Sequence, residues 1–250
     1  MLKIALVRYT IIICFFFLLG MNHLLAQNPV LLDSASSPFK KPEKKFTQTY
    51  IGIGGGWQTG SVYLQHRFYR AIFIQEKYIQ GFNAGVMLRH FAPLNDKKLK
   101  TGIQIGLNYS QKGWQQTFES VAEEPITRLD YLELPVSAII YAGNERNKVF
   151  ITMGLYGEML VRSKSADRPA GLNPIEEFYT YQDNRDNKFG FGLKGTAGFQ
   201  KDFSFGALQV EGFFSYSISS FIDYDRPSDF IPHISQLYNI GFSVGYLLPL

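Results

Sequence analysis

The chain has 250 residues and a formal net charge of +4; 18% of it is charged and 16% aromatic. So small a basic excess excludes a nucleic-acid binder built on electrostatics. The single cysteine, Cys14, excludes a disulfide framework and any cysteine-based metal cluster.

Residues 1–26 read as a secretory signal peptide. Lys3 and Arg8 form the basic n-region, Thr10 through Leu19 the apolar core, and Leu24-Leu25-Ala26 the cleavage site. The core is short for a membrane helix of about 20 residues. Cys14 lies inside the apolar run, without the small residues that precede an acylated cysteine. Cleavage after Ala26 removes Cys14, Lys3 and Arg8, so 23 of the 25 basic residues face 21 acidic ones and the net charge falls to +2. Residues 27–45 carry Pro, Ser and Lys without a period and are expected to be a flexible periplasmic tail. No later stretch approaches 18 uninterrupted apolar residues. If the remaining domain, residues 46–250, enters a bilayer, it does so as closed strands.

Eight strands are predicted from period-2 alternation. The first, residues 47–57, sets Ile51, Ile53 and Trp57 against Tyr50, Gly52, Gly54 and Gly56. Its glycines lack the spacing and following helix of a nucleotide loop. The second, residues 81–91, turns Phe82, Val86 and Leu88 outward and Asn83, Met87 and Arg89 inward. The third, residues 99–112, turns Ile103, Ile105, Leu107 and Tyr109 outward and Gln104, Asn108, Ser110 and Lys112 inward. The fourth, residues 128–142, has Leu132, Leu134, Val136 and Ile140 outside and Tyr131, Glu133, Ser137 and Tyr141 inside. Pro135 lacks a ladder donor, so a bulge or break is expected there. The fifth, residues 148–162, puts Val149, Ile151, Met153 and Leu155 outside and Thr152, Tyr156 and Glu158 inside. The sixth and seventh, residues 188–200 and 205–220, turn Lys194, Thr196, Glu211 and Phe213 inward. The last, residues 236–250, has a bulky face of Ile240, Phe242, Val244 and Tyr246 and a small one of Asn239, Gly241, Ser243 and Gly245. A solvated face would carry Lys and Glu; lipid accepts the first face and a crowded lumen the second.

Connections alternate long and short: about 23, 15, 25 and 15 residues against APLNDKK, GNERN and KDFS. That is the signature of an all-β, eight-stranded antiparallel up-and-down transmembrane β-barrel, with short periplasmic turns, long extracellular loops and both termini periplasmic. The stretches TYIGIGGG, GFNAGVMLRHF, TGIQIGLNYSQKG, FGFGLKGTAGFQ and YNIGFSVGYLLPL, with the run Tyr131-Leu132-Glu133-Leu134-Pro135, resemble the PorT-like outer-membrane β-barrel family over residues 46–250. The resemblance implies the outer membrane of a Gram-negative cell. The family's founding member is associated with a protein secretion system, but most relatives have no assigned role, so the resemblance does not carry that role over.

The inward charges Arg89, Lys112, Arg162 and Lys194 against Glu133, Glu158 and Glu211 are expected to form a lumen charge network, since buried charges need partners. A two-residue turn at Asp202-Phe203 would set Lys194 opposite Glu211. A turn near Glu145-Arg146 sets Glu133 opposite Glu158, which requires a proton or a cation such as Lys194 or Arg162 between them. Met87, Tyr131, Tyr141, Phe150, Tyr156 and Phe213 fill the lumen, and Gly106, Gly154, Gly192 and Gly241 make room for them.

His66, His90 and His233 converge with no nucleophile, so no enzyme is expected. A barrel enzyme acting on lipid or peptide is the alternative. A soluble lipocalin-like barrel would show a charged exterior and an apolar pocket instead. Asp223, Asp225 and Asp229 lack the glycine and terminal Glu of a calcium loop. No cofactor is expected. The expected partners are outer-membrane lipids and an extracellular ligand or secretion-system protein, met through residues 58–80 and 163–187.

Overall fold

The alternation drives eight long strands to bury one face around a shared axis and leave the other outside. The computed structural model describes residues 48–65, 75–91, 99–143, 146–173, 176, 178–183, 185–222 and 234–250. The expected signal peptide and tail, His66, His233, Asp223, Asp225 and Asp229 lie outside the described residues, as do all of APLNDKK and the centre of GNERN.

The strands are β1 (Gln48–Gln65), β2 (Gln75–Lys77), β3 (Ile79–Phe91), β4 (Leu99–Thr117), β5 (Ile126–Gly143), β6 (Asn147–Lys164), β7 (Phe189–Phe203), β8 (Gly206–Ser217) and β9 (Ile234–Pro249). All pairs are antiparallel, running β3-β1-β9-β8-β7-β6-β5-β4, and β4 also pairs with β3, which closes the barrel. Strand β2 is an outlier of three residues, paired to β4 beyond the closed eight. Strand β1 runs to Gln65 and turns Val62 into the core, so residues 58–65, assigned by the alternation to the first long loop, are barrel wall.

Outward parity holds around the wall. Ile53, Ile151, Phe191 and Phe242 are exposed, and Met153 and Phe189 are 72% and 73% exposed. Single exposed hydrophobics are ordinary, but a continuous belt from every strand marks a lipid-facing wall. Tyr63, Tyr78, Tyr109 and Tyr238 stand at the long-loop end of the belt and Phe203, Phe205 and Tyr246 at the short-turn end, as interfacial aromatics do.

Two registers differ from the sequence reading. In β7–β8, Phe203 pairs with Gly206, so the turn is Ser204-Phe205 rather than Asp202-Phe203. Gly206 has φ +146°, a conformation that excludes a side chain. That glycine, not the preceding Asp, sets the register: Lys194 lies opposite Ser215 and Glu211 opposite Gly198. At Pro135 the β4–β5 ladder is interrupted between Ile105↔Val136 and Asn108↔Glu133, yet the register is unchanged across the gap. The register shift lies instead in β5–β6, between Asp130 and Tyr131.

Candidate functional site

The lumen is filled in three tiers. At the short-turn end Tyr50, Phe91, Ile139, Tyr141, Phe150 and Leu247 form an apolar plug. Phe91 and Tyr141 ring centres are 4.9 Å apart, and Tyr141 meets Phe150 edge-on at 5.4 Å. Each residue comes from the last inward positions of its strand, so parity alone gathers them. Arg89 lies just above the plug, with 0% exposure. Its Nε donates to Gln104 Oε1 at 2.6 Å and its Nη1 to the Tyr141 hydroxyl at 2.6 Å. Its guanidinium centre is 5.0 Å from the Phe150 ring centre, and Glu211 lies 3.9 Å from Nη2.

The middle tier is polar and holds a cavity of about 40 Å³ lined by Asn83, Gln104, Asn108, Thr152, Lys194 and Glu211 among others. That is room for a few water molecules. Lys194 reaches Glu133 at 3.4 Å and lies 5.0 Å from the Phe213 ring centre. Glu211 accepts from the Ser243 hydroxyl at 2.9 Å.

Above the cavity sits the tightest charge cluster. Glu133 and Glu158 are cross-strand neighbours, as the β5–β6 turn requires. The cation between them is Lys112, fully buried, at 2.8 Å from Glu133 Oε1 and 2.6 Å from Glu158 Oε2. The Glu158 contact has hydrogen-bond geometry; the Glu133 oxygen is held by charge alone. Lys112 also lies 4.6 Å from the Tyr156 ring centre, and Ser217 donates to Glu158 at 2.9 Å. With Lys194 on Glu133 the cluster carries two cations and two carboxylates.

Arg162 is a correction to the expected network. It is exposed on the outer wall, because the register shift below it reverses the parity of β6. The other six charges do face the lumen, and the contacts above account for all of them. Two of the four glycines expected under rings are there: a Cβ on Gly192 would meet the Tyr156 ring at 2.6 Å, and one on Gly241 the Phe213 ring at 2.7 Å. Gly106 instead underlies Pro135, and Gly154 the backbone of Val136.

The long-loop end is sealed by residues that strand parity only half supplies. Trp114, Leu129, Tyr131, Leu160 and Leu237 come from strands, but Tyr181, Phe221 and Ile222 come from the segments between them. Trp114 is fully buried and its ring centre lies 5.2 Å from that of Phe221. Inward parity continues from Lys112 through Trp114 to Gln116, a signal lost by ending the strand at Lys112.

Over this plug lies a roof. Tyr179 is buried and its N–H donates to Gln116 Oε1 at 3.1 Å. Asn187 N–H donates to the Phe221 carbonyl at 2.7 Å, and Asp186 bridges to Ile222. Glu176 ties the β6–β7 connection to the β4–β5 connection: it accepts from the N–H of Glu119 at 2.8 Å, the N–H of Ser120 at 3.3 Å and the Ser120 hydroxyl. Those hydrogen bonds, the Ser120 hydroxyl first, hold its carboxyl below the usual range. At the same end Glu76, in β2, is pushed up to about 8 by burial. So residues 163–187, expected as an open recognition loop, are in part core.

Among the described residues no group of His, Cys, Asp and Glu has the arrangement of a metal site. His90 is exposed on the outer wall, 3.0 Å from the Thr49 hydroxyl and remote from the lumen acids.

A family model described as an outer membrane protein beta-barrel domain matches residues 46–223. No curated protein sequence matches. Among solved structures, the chain is similar to the outer membrane protein OprG of Pseudomonas aeruginosa, at 11% identity over 81% of this chain and 97% of that one, with a TM-score of 0.39. It is also similar to the attachment invasion locus protein Ail of Yersinia pestis, solved with the heparin analogue sucrose octasulfate, at 13% identity over 80% and 99%, TM-score 0.36. Neisserial surface protein A matches at 10% identity over 79% and 96%, TM-score 0.39.

Proposed function

The chain belongs to the outer membrane protein β-barrel domain family, and from that premise we propose that it is a non-conducting binding protein that works through its roof rather than its lumen. The observation that carries this reading is the pair of apolar plugs enclosing a charge-paired middle tier. Ions crossing the barrel would have to displace both plugs and the buried Lys112 cluster, whose charges are costly to leave unpaired. An enzyme would need a nucleophile and base within reach of each other, and the lumen acids are instead committed to Lys112, Lys194 and Arg89.

The finer assignment is a PorT-like barrel of a Gram-negative cell, exported by a cleaved signal peptide, with both termini periplasmic and the roof outside. Its support is the Tyr131–Pro135 run, together with a roof held by hydrogen bonds between separate connections. An ordered roof costs less conformational entropy on binding than a loose loop. The partner is an extracellular ligand or a component of a secretion assembly.

Two measurements test this reading. Full-length protein in a planar bilayer should carry no steady single-channel conductance; a steady conductance overturns it. Protease added to intact cells should cut the roof and spare the short turns; the reverse pattern overturns the orientation.

A further inference from the structure

The outer wall changes character where β5 and β6 pass the apolar belt. On β5 the outward residues Ile140, Val136 and Leu134 give way to Asp130 and then Arg128. On β6 strict alternation would follow Met159 with Val161 and turn Arg162 and Lys164 into the lumen. The register shift prevents that. Tyr131 faces Leu160 while Asp130 faces Arg162, so Val161 is the extra residue of a bulge. Beyond it Ser163 pairs with inward Leu129, and Arg162 and Lys164 stand exposed on the outer wall.

The bulge creates an electrostatic conflict. Lys164 is directly opposite Arg128. Like charges on opposed residues lie about 5 Å apart at Cβ and repel. The nearby acid is Asp130, opposite Arg162 and accepting from Gln111 Nε2 at 3.2 Å, which leaves three cations on one carboxylate. Among the described residues no ion pair engages Arg128, Arg162 or Lys164. From the β4 side Arg128 is faced by Gly113, which has φ +142° and whose Cβ position is taken by the Thr127 carbonyl at 2.0 Å and the Ile79 side chain at 2.9 Å, a close backbone approach that only glycine allows. Arg128 itself is exposed.

Depth indicates what relieves the repulsion. At about 3.3 Å per residue and a strand tilt near 40°, Arg128 lies about 10 Å beyond Leu132, at the level of lipid headgroups. Arginine binds phosphate oxygens bidentately, and both side chains lay their stems on apolar surface while the charge reaches the interface. We propose that Arg128, Arg162 and Lys164 form a site for the phosphate of a phosphorylated outer-leaflet glycolipid. Tyr109 and Gln111, beside it on β4, offer hydroxyl and amide groups to the sugar. Assigning the outer leaflet rests on the orientation proposed above.

The test is native mass spectrometry of the full-length protein in detergent, incubated with lipid A. The wild type should retain lipid A, and R128Q/R162Q/K164Q should bind it at least 10-fold more weakly. K164Q alone, which removes the like-charge pair from an exposed position, should weaken it several-fold. R128K, which keeps the charge but loses the bidentate fork, should fall between. Dephosphorylated lipid A and phosphatidylglycerol should be retained no better by the wild type than lipid A by the triple variant. An unchanged heat-dependent shift on electrophoresis shows that each variant is folded. Equal retention by K164Q or a folded triple variant overturns the site; equal retention of dephosphorylated lipid A overturns phosphate recognition, and of phosphatidylglycerol the glycolipid. Because binding is read in detergent, failure here leaves the protease test of orientation untouched.

Discussion

The two plugs achieve the same seal by different means. The short-turn plug is made by Tyr50, Phe91, Tyr141, Phe150 and Leu247, each fixed by strand alternation. The long-loop plug needs Tyr181, Phe221 and Ile222, which reach the lumen only after their connections fold back over it. One seal is a consequence of the barrel, and the other is built onto it. The first should fail only when the barrel fails, whereas the second should open while the wall stays intact. The Lys112 cluster lies between them and belongs to the wall.

The largest effect is expected at Lys112. K112M would leave Glu133 and Glu158 facing each other with only Lys194 nearby, and should destabilise the barrel by about 3–5 kcal/mol. Urea unfolding from vesicles measures it. E158Q should cost less, because Ser217 and Lys112 keep a polar partner. The double variant K112M/E158Q should recover part of the K112M loss, since it removes one of the two stranded carboxylates. A K112M barrel as stable as the wild type would mean the lumen acids are neutral or hydrated.

The plugs themselves come next. F150A removes a ring shared by Tyr141 and Arg89 and should cost the whole barrel about 3–5 kcal/mol. Y181A should leave the unfolding midpoint nearly unchanged while amide protection is lost across residues 178–183. If Y181A unfolds the barrel as F150A does, the roof belongs to the wall and the contrast collapses. Neither substitution should open conductance, because the opposite plug remains.

The same contrast governs what was legible in the sequence. Period-2 alternation located every wall strand and its inward face, because a one-residue slip would put Phe and Ile in the lumen and Glu in lipid. The Glu133–Glu158 pairing was legible because its turn is short. The Lys194–Glu211 pairing was misread because Gly206, rather than Asp202, meets the demand for positive φ. Arg162 was misplaced because a bulge leaves no mark on hydrophobic period when the residues beyond it are polar in either direction. The roof was illegible for a further reason: Tyr179 and Tyr181 sit in a stretch without a period, and that connection is tied down by hydrogen bonds from the Tyr179 N–H to Gln116 and from the Asn173 N–H to Ser120 that no local pattern encodes.

A smaller effect is expected at the roof's tie. E176Q keeps an oxygen acceptor but loses the charge that strengthens three donated hydrogen bonds. Amide exchange should quicken at Glu119 and Ser120 and stay unchanged in β5 and β6. Unaltered exchange at both amides would mean that the two connections are held by other contacts.

The smallest effect separates the two acids of the long-loop end by pH. Glu76 has its folded value raised to about 8 by burial, so the folded state holds a proton that the unfolded chain releases above about 4.5. Its contribution is full below that unfolded value and is lost as pH rises through about 8. The Glu176 carboxyl is shifted the other way, so its contact is present above its unfolded value and fails as pH falls through the lowered folded one. Acidification from pH 8 to pH 5 should therefore slow exchange of amides in the β2–β4 pairing, Gln75 to Lys77 against Gln115 to Thr117, without loosening the roof. Further acidification should release the roof while β2 stays docked. E76Q should abolish the first transition and leave the second. If the β2 amides exchange faster at pH 5 than at pH 8, after correction for intrinsic rates, Glu76 is not buried as a neutral acid and β2 is held by the Lys77–Glu124 pair alone.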